Sequence, residues 1–123
     1  EIERLALTDN IILHGLKVNP YPHYKAADLF LLPSYNEAAP LVYGEACCLG
    51  LPVLTTNTTS ANELVAEKGI GWVCENSDEG IYNSLRKLLS NLHLINHKKE
   101  ELMNTPLNNS LAVLEFYEIV NEE

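Results

Sequence analysis

Apolar residues fall along this chain in short runs, each closed by glycine, proline or a polar cluster, and the runs alternate with segments of helical spacing. Leu29-Phe30-Leu31-Leu32 is an unbroken apolar stretch stopped by Pro33 and Ser34. Such a run fits a strand buried on both faces, as in a parallel sheet. Pro52-Val53-Leu54-Thr55-Thr56 is the next β-prone run, with proline at the first position, where a strand tolerates it. Gly71-Trp72-Val73-Cys74 follows, and Ile11-Ile12-Leu13-His14, closed by Gly15, is a further β-prone run ahead of them.

Helices are expected between these runs. A short one over residues 21–27 carries Pro22 in its first turn, where proline is harmless. Residues 41–49 form another, with Pro40 suited to its start and Gly50 to its end. Residues 61–66 make a third, closed by Lys68-Gly69. Ser77 or Asp78 can cap a fourth that runs to about Leu89 with Ile81, Leu85, Leu88 and Leu89 on one face. Residues 91–123 read as C-terminal helices with a break near Asn104-Thr105-Pro106, and the opening residues read as the end of a helix. Strands and helices alternating in this way predict an α/β fold, a parallel sheet flanked by helices, with residues 1–123 as one domain. Ligands of such sheets bind beyond the carboxyl ends of the strands. That places residues 17–19, 34–42 and 55–60 on one functional edge.

Composition narrows the partners. The 123 residues are 46% hydrophobic and 20% charged, an ordinary globular mixture. No apolar run approaches the roughly 20 residues of a membrane span. Eight basic residues against 17 acidic ones leave a net charge of −9, the wrong sign for a nucleic-acid binder or an acidic membrane surface. A small anionic ligand is still compatible, because a few local amides outweigh global charge. Cys47, Cys48 and Cys74 do not make a disulfide framework and read as small buried hydrophobes in a reducing compartment. The chain opens on Glu1 without methionine and reads as a piece of a longer protein.

Candidate chemistry concentrates in residues 33–46, Pro-Ser-Tyr-Asn-Glu-Ala-Ala-Pro-Leu-Val-Tyr-Gly-Glu-Ala. Glu37 lies in the loop after a strand, and Glu45 lies eight positions on, in the following helix. The helix start between them offers free amides and a partial positive charge. The arrangement can receive a phosphate while two carboxylates accept hydrogen bonds from hydroxyl groups, which suits a pyrophosphate with sugars on both sides. Spacing alone leaves the plainer reading open, with Glu37 solvated in a loop and Glu45 on a helix surface.

From Ile11 to about Leu89 the chain resembles the C-terminal domain of GT-B glycosyltransferases of the family 4 type. The resemblance is carried by Asn19-Pro20-Tyr21-Pro22, by Lys25-Ala26-Ala27-Asp28-Leu29-Phe30-Leu31-Leu32-Pro33-Ser34, by Glu37 and Glu45 as the family's E-x7-E signature, and by Glu45-Ala46-Cys47-Cys48-Leu49-Gly50-Leu51-Pro52-Val53. It implies a Rossmann-like, N-terminally truncated half of a GT-B enzyme. The parent would take a nucleotide-sugar, with UDP or GDP as the nucleotide, and transfer the sugar with retention to a hydroxyl acceptor bound by a missing domain. The Asn-Pro-Tyr-Pro variant is similar to enzymes of bacterial capsule or exopolysaccharide assembly. Glu37 would hold the donor sugar at its hydroxyls, either as a nucleophile or in a front-face mechanism without one. Glu45 would accept from the ribose, the amides of Leu41 and Val42 would face the phosphates, Lys17 and Val18 would lie beside the base, and Ala38 and Ala39 would line the donor. No cofactor beyond the donor substrate and no protein-bound metal is implied. The setting is cytoplasmic, with peripheral attachment of the parent at the inner membrane face left open.

Departures from the family pattern are confined to the donor loops. Ala38-Ala39-Pro40 replaces the usual glycine and the pair after it, Pro40 has no amide to donate, and Asn57-Thr58-Thr59-Ser60 lacks the usual glycines. The family's basic pair on the pyrophosphate and its histidine would lie upstream of Glu1, so this chain alone is expected to be inactive. Glu63 matches an acidic family position and reads as a structural first-turn acid. His93 and His97 share a helical spacing but sit among Lys98, Lys99, Glu100 and Glu101, a solvated face. His14 and His23 have no nearby acid in sequence, Trp72 reads as core, and Tyr21, Tyr24, Tyr35 and Tyr43 suit either stacking on a ligand or packing. Ser34 lacks the glycines of a nucleophile elbow, and no glycine-rich phosphate loop is present. Two other readings remain: a sugar-nucleotide 2-epimerase-like enzyme, and a non-catalytic nucleotide-binding module.

Overall fold

Helix α1 (Tyr21–Ala26), strand β1 (Phe30–Leu32), helix α2 (Val42–Cys48), strand β2 (Val53–Thr56), a π-helix (Asn62–Glu67), strand β3 (Gly71–Cys74) and helices α3 (Asp78–Leu89) and α4 (Leu92–Asn104) follow one another along the chain. The structure, a computed structural model, describes residues 1–38 and 40–105. The strands pair in parallel in the order β1-β2-β3, with Phe30 beside Val53 and Val53 beside Gly71. This is the Rossmann-like α/β arrangement expected of alternating strands and helices.

Strand β2 is the centre of the fold, buried along its whole length. Successive side chains of a strand point to opposite faces. Val53 accordingly joins a core with Tyr43, Ala46, Leu51, Val65, Ile70 and Leu102. Leu54 joins a second core with Cys74, Leu88 and Ile95. Helix α2 and the π-helix cover one face, and α3 covers the other. Helix α4 supplies Ile95 to one core and Leu102 to the other, and Lys99 ties it to the Ala27 carbonyl and to Asp28.

Two helix stops feed the two inner strands. At the end of α2 the Leu51 amide donates to the Ala46 carbonyl and the Gly50 amide to Cys47. At the end of the π-helix the Ile70 amide donates to Val65 and the Gly69 amide to Ala66. Both are Schellman caps, with glycine in the left-handed region at φ 68° and 69°. In each, the apolar residue after glycine packs with the helix residue it caps, turning the chain into the strand that follows. The opening residues show the same geometry, with Leu7 bonded to Ile2 and Ala6 to Glu3, and Ala6 takes the left-handed place at φ 52°. No helix forms there: residues 2–6 are turns, and only the capping geometry of the expected helix end is present.

Several expectations need correction. Residues 11–14 are not a strand: among the described residues they have no ladder partner, and Ile12 and Leu13 are exposed. β-branched composition favours a strand only where a neighbour accepts its ladder. Strand β1 is shorter than its apolar run and is not buried on both faces, since it lies at the sheet edge with Leu31 37% exposed. Helix α2 starts at Val42, with Leu41 as its N-cap. The helix expected over 61–66 is π-helical and shifted one residue on. Cys74 is buried, but Cys47 and Cys48 are only half-buried, because α2 turns them toward its flank. Two expectations hold: Ser77 caps α3 by accepting from the Gly80 amide at 3.0 Å, and α4 ends at Asn104, at the expected break. Ala39 and the helix expected beyond residue 105 lie outside the described residues.

Candidate functional site

The loop between β1 and α2 leaves the carboxyl edge of the sheet and carries Glu37. The half-buried Glu37 carboxylate accepts from Ser34 Oγ at 2.8 Å. The Ser34 carbonyl accepts in turn from the Thr56 hydroxyl at the end of β2. The next carbonyl, that of Tyr35, accepts from Asn76 Nδ2 at 2.8 Å, and the Tyr35 phenol donates to Asp78 Oδ1 at 2.6 Å. The Ala38 carbonyl accepts from the Ser60 hydroxyl. Side chains at or after the ends of both β2 and β3 therefore hold the Glu37 segment.

Glu45 stands half-buried on α2, facing α1. The Tyr21 phenol donates to Glu45 Oε1 at 3.4 Å, a long bond. Tyr21 is brought there by the start of α1, where the Asn19 side-chain oxygen accepts from the Tyr21 amide at 3.0 Å. Pro20 and Pro22 flank that turn, so the Asn-Pro-Tyr-Pro run has a local structural purpose. Burial, then the charge of Glu45, pushes the Tyr21 and Tyr24 phenols up. The Asp78 hydrogen bond does the same for Tyr35. Tyr24 meets Phe30 edge to face at 5.2 Å between ring centroids.

The start of α2 lies between the two glutamates in sequence. The Tyr43 amide is committed to the Pro40 carbonyl, and those of Gly44 and Glu45 to the Leu41 carbonyl. Only amides before Tyr43 can turn to a ligand there, and proline at position 40 supplies none. Leu41 is exposed and Val42 packs against the first core. Tyr43 is buried and anchors the helix, its phenol 2.8 Å from Thr55 Oγ1, which donates to the Leu32 carbonyl at 3.0 Å.

The remaining candidates are placed as follows. Lys17 and Val18 are exposed, and no hydrogen bond or ion pair joins Lys17 to Glu37 or Glu45 among the described residues. Ala38 is exposed beside Glu37. Glu63 is exposed in the first turn of the π-helix. A cavity of about 320 Å³ opens beside α2, lined by Leu41, Tyr43, Cys47, Leu64, Lys68 and neighbours, and neither glutamate lines it. Burial pushes all three thiols up, Cys47 with a smaller opposing pull from Lys68. His14 and His23 stack at 4.1 Å between centroids, away from any described carboxylate bond. His97 stands 3.5 Å from Glu101. Among the described residues, no group of three or more His, Cys, Asp or Glu is placed to hold a metal.

Sequence reasoning singled out the two glutamates as candidates and did not foresee their surroundings: Ser34 bonding Glu37, Thr56, Asn76 and Asp78 holding Ser34 and Tyr35 beside it, and Tyr21 bonding Glu45. Only Tyr21 had a legible signal, the Asn-Pro start that fixes its orientation.

Fold and site together define a Rossmann-like α/β domain in which one partly buried carboxylate, Glu37, lies in the loop before α2 and a second, Glu45, within that helix. The family described as Glycosyl transferases group 1 matches residues 1–103, and the chain belongs to that family. It is 36% identical over 90 residues to the lipopolysaccharide glucosyltransferase WaaG of Escherichia coli, covering 72% of this chain. It is 35% identical over 85 residues to an uncharacterized glycosyltransferase of Haemophilus influenzae, covering 66% of this chain. It is 31% identical over 93 residues to the capsular polysaccharide biosynthesis glycosyltransferase CapM of Staphylococcus aureus, covering 73% of this chain. The matched segment spans about a quarter of each relative, 24% of its length. Among the described residues, no helix is long and apolar enough to cross a membrane.

Proposed function

We propose that this chain is the donor-binding part of a glycosyltransferase that builds a bacterial polysaccharide or glycolipid. The observation that carries this is the pair of half-buried carboxylates, Glu37 in the β1–α2 loop and Glu45 on α2, at the carboxyl edge of a parallel sheet in a group 1 glycosyltransferase chain. The lipopolysaccharide and capsule relatives support the acceptor class. The donor is a UDP- or GDP-sugar. Glu37 accepts hydrogen bonds from the sugar hydroxyls, and transfer proceeds with retention at the anomeric carbon, as the family resemblance implies. Glu45 accepts from the ribose, using carboxylate capacity that the long Tyr21 bond leaves available. The amides of Leu41 and Val42 receive the phosphates, Ala38 lines the donor, and Lys17 and Val18 meet the base. Catalysis in this reading is positioning together with stabilisation of the charge that develops as the sugar leaves the diphosphate. The acceptor is bound by a part of the parent outside this chain, and this chain alone does not turn over. The parent works in the cytoplasm, at the membrane face where lipid-linked acceptors sit.

The test is an NMR titration of the chain with UDP, GDP and their sugar conjugates beside Glu45→Ala. Saturable shifts centred on Lys17, Val18 and Glu37 to Glu45 for one nucleotide, weakened in the variant, support the reading and name the base. Binding unchanged by Glu45→Ala refutes the ribose assignment. Because Pro40 cannot donate to a phosphate, a non-catalytic nucleotide-binding module is the second reading. Donor binding without turnover in the intact parent would favour it.

A further inference from the structure

Strands β1 and β3 do not neighbour each other, yet the loops at their carboxyl ends are joined over the end of β2. Tyr35, from the β1 loop, reaches across to Asp78 and Asn76 of the β3–α3 segment at 2.6 and 2.8 Å. The Tyr35 side chain is 68% exposed, so core burial does not account for its placement. The Asn76 amide gives its nitrogen to the Tyr35 carbonyl while its buried oxygen has no partner among the described residues. A buried polar atom left unpaired is costly, and here it accompanies a contact that immobilises the peptide two residues before Glu37. On the other side of that peptide, the Ser34 carbonyl is held by Thr56, and Ser34 Oγ holds Glu37.

We propose that Tyr35, Asn76 and Asp78 form a clamp that sets the position of Glu37, making Asn76 and Asp78 positioning residues for the donor sugar. This rests on the donor-site reading above. The clamp acts on the sugar end of the site alone, since Glu45 and the α2 start are anchored separately through Tyr21 and Tyr43. Its signature is a split between ligands: loss of the clamp weakens a nucleotide-sugar and spares the bare nucleotide diphosphate.

The experiment is calorimetric titration of the 123-residue chain with UDP against UDP-glucose, and with GDP against GDP-mannose. Tyr35→Phe removes one hydroxyl from an exposed ring. It is expected to weaken the preferred sugar conjugate about three- to tenfold, the worth of one hydrogen bond, with the diphosphate within about twofold. Asp78→Ala should repeat this, and Asp78→Asn, which keeps an acceptor oxygen, should restore the wild-type preference. Amide exchange at Asn36 and Glu37 should rise in Tyr35→Phe. Equal weakening of both ligands, weakening of neither, or failure of Asp78→Asn to rescue overturns the clamp alone. If neither the wild-type chain nor its intact parent binds any of the four compounds, the donor-site reading falls and the clamp's role with it.

Discussion

The buried hydroxyl relay beneath α2 makes a prediction whose sign can be worked out from proton counting. Thr55 Oγ1 carries one proton, and it is spent on the Leu32 carbonyl, which can only accept. Tyr43 must therefore be the donor in the 2.8 Å contact with Thr55. Tyr43→Phe removes that donor and leaves Thr55 still bonded to Leu32. The cost is about 1 kcal/mol, the net worth of one ordinary hydrogen bond. Thr55→Val keeps the shape of the side chain but strands the Tyr43 hydroxyl, 2% exposed, with no acceptor. An orphaned buried hydroxyl costs about 1–3 kcal/mol, and the Leu32 carbonyl loses a donor as well. The double variant has no stranded phenol, so adding Tyr43→Phe to Thr55→Val should restore roughly 1 kcal/mol instead of removing more. Urea unfolding of the four proteins measures the coupling directly. A double variant less stable than Thr55→Val by the full cost of Tyr43→Phe would refute the relay and the donor assignment together.

Glycine substitution separates backbone strain from packing. Gly50→Ala and Gly69→Ala each force alanine into the left-handed region, about 1–2 kcal/mol. A Cβ at residue 50 also collides with the Met103 side chain, whereas none is met within 4 Å at residue 69. The exposed, flexible Met103 side chain can swing aside, so the two variants should lose similar stability in thermal unfolding, and a much larger loss at residue 50 would refute this. Alkaline pH should destabilise the chain, because burial pushes the thiols of Cys47, Cys48 and Cys74 and the phenols of Tyr21 and Tyr24 up. A raised native pKa means that the native state holds more protons than the unfolded one. This stability is complete below the unfolded thiol value of roughly 8.5 and is lost as pH rises through the native values, at up to about 1.4 kcal/mol per pH unit for each proton. Urea midpoints that stay constant from about pH 7.5 to about pH 10 would contradict it.

The inner part of the sheet was legible because its signals are local and agree with one another. Gly50-Leu51-Pro52 ends a helix, supplies the apolar residue of the cap and opens a strand within three positions, and Gly69-Ile70 repeats the first two steps. Strand β2 needed nothing more, since an apolar run at the centre of a parallel sheet is buried whichever way it faces. The edge was not legible. Phe30-Leu31-Leu32 and residues 11–14 carry similar apolar patterns, yet one pairs and the other does not. The difference lies in whether a neighbouring strand is present, which composition does not encode. The π-helix has the same origin: over residues 62–67 propensity asks only for a helix, and the wider turn belongs to how that segment meets β3 and α2.

The site divides along the same line. Glu37 and Glu45 stand out in the sequence as candidates because their spacing lies within one loop and one helix. Ser34 bonds Glu37 locally, but Tyr21 reaches Glu45 across 24 residues and Asp78 reaches Tyr35, beside Glu37, across 43, through contacts that exist only once the sheet is assembled. This bears on how the site could work in a chain of net charge −9. The amides of Tyr43, Gly44 and Glu45 are committed within α2, and Pro40 has none to give. On the reading proposed above, the phosphates have only the Leu41 and Val42 amides within this segment, while both sugars have a carboxylate held in place by a neighbour. The donor is then recognised here chiefly through its hydroxyl groups. On that reading the positive charge that a leaving diphosphate requires comes from outside the Glu37–Glu45 segment.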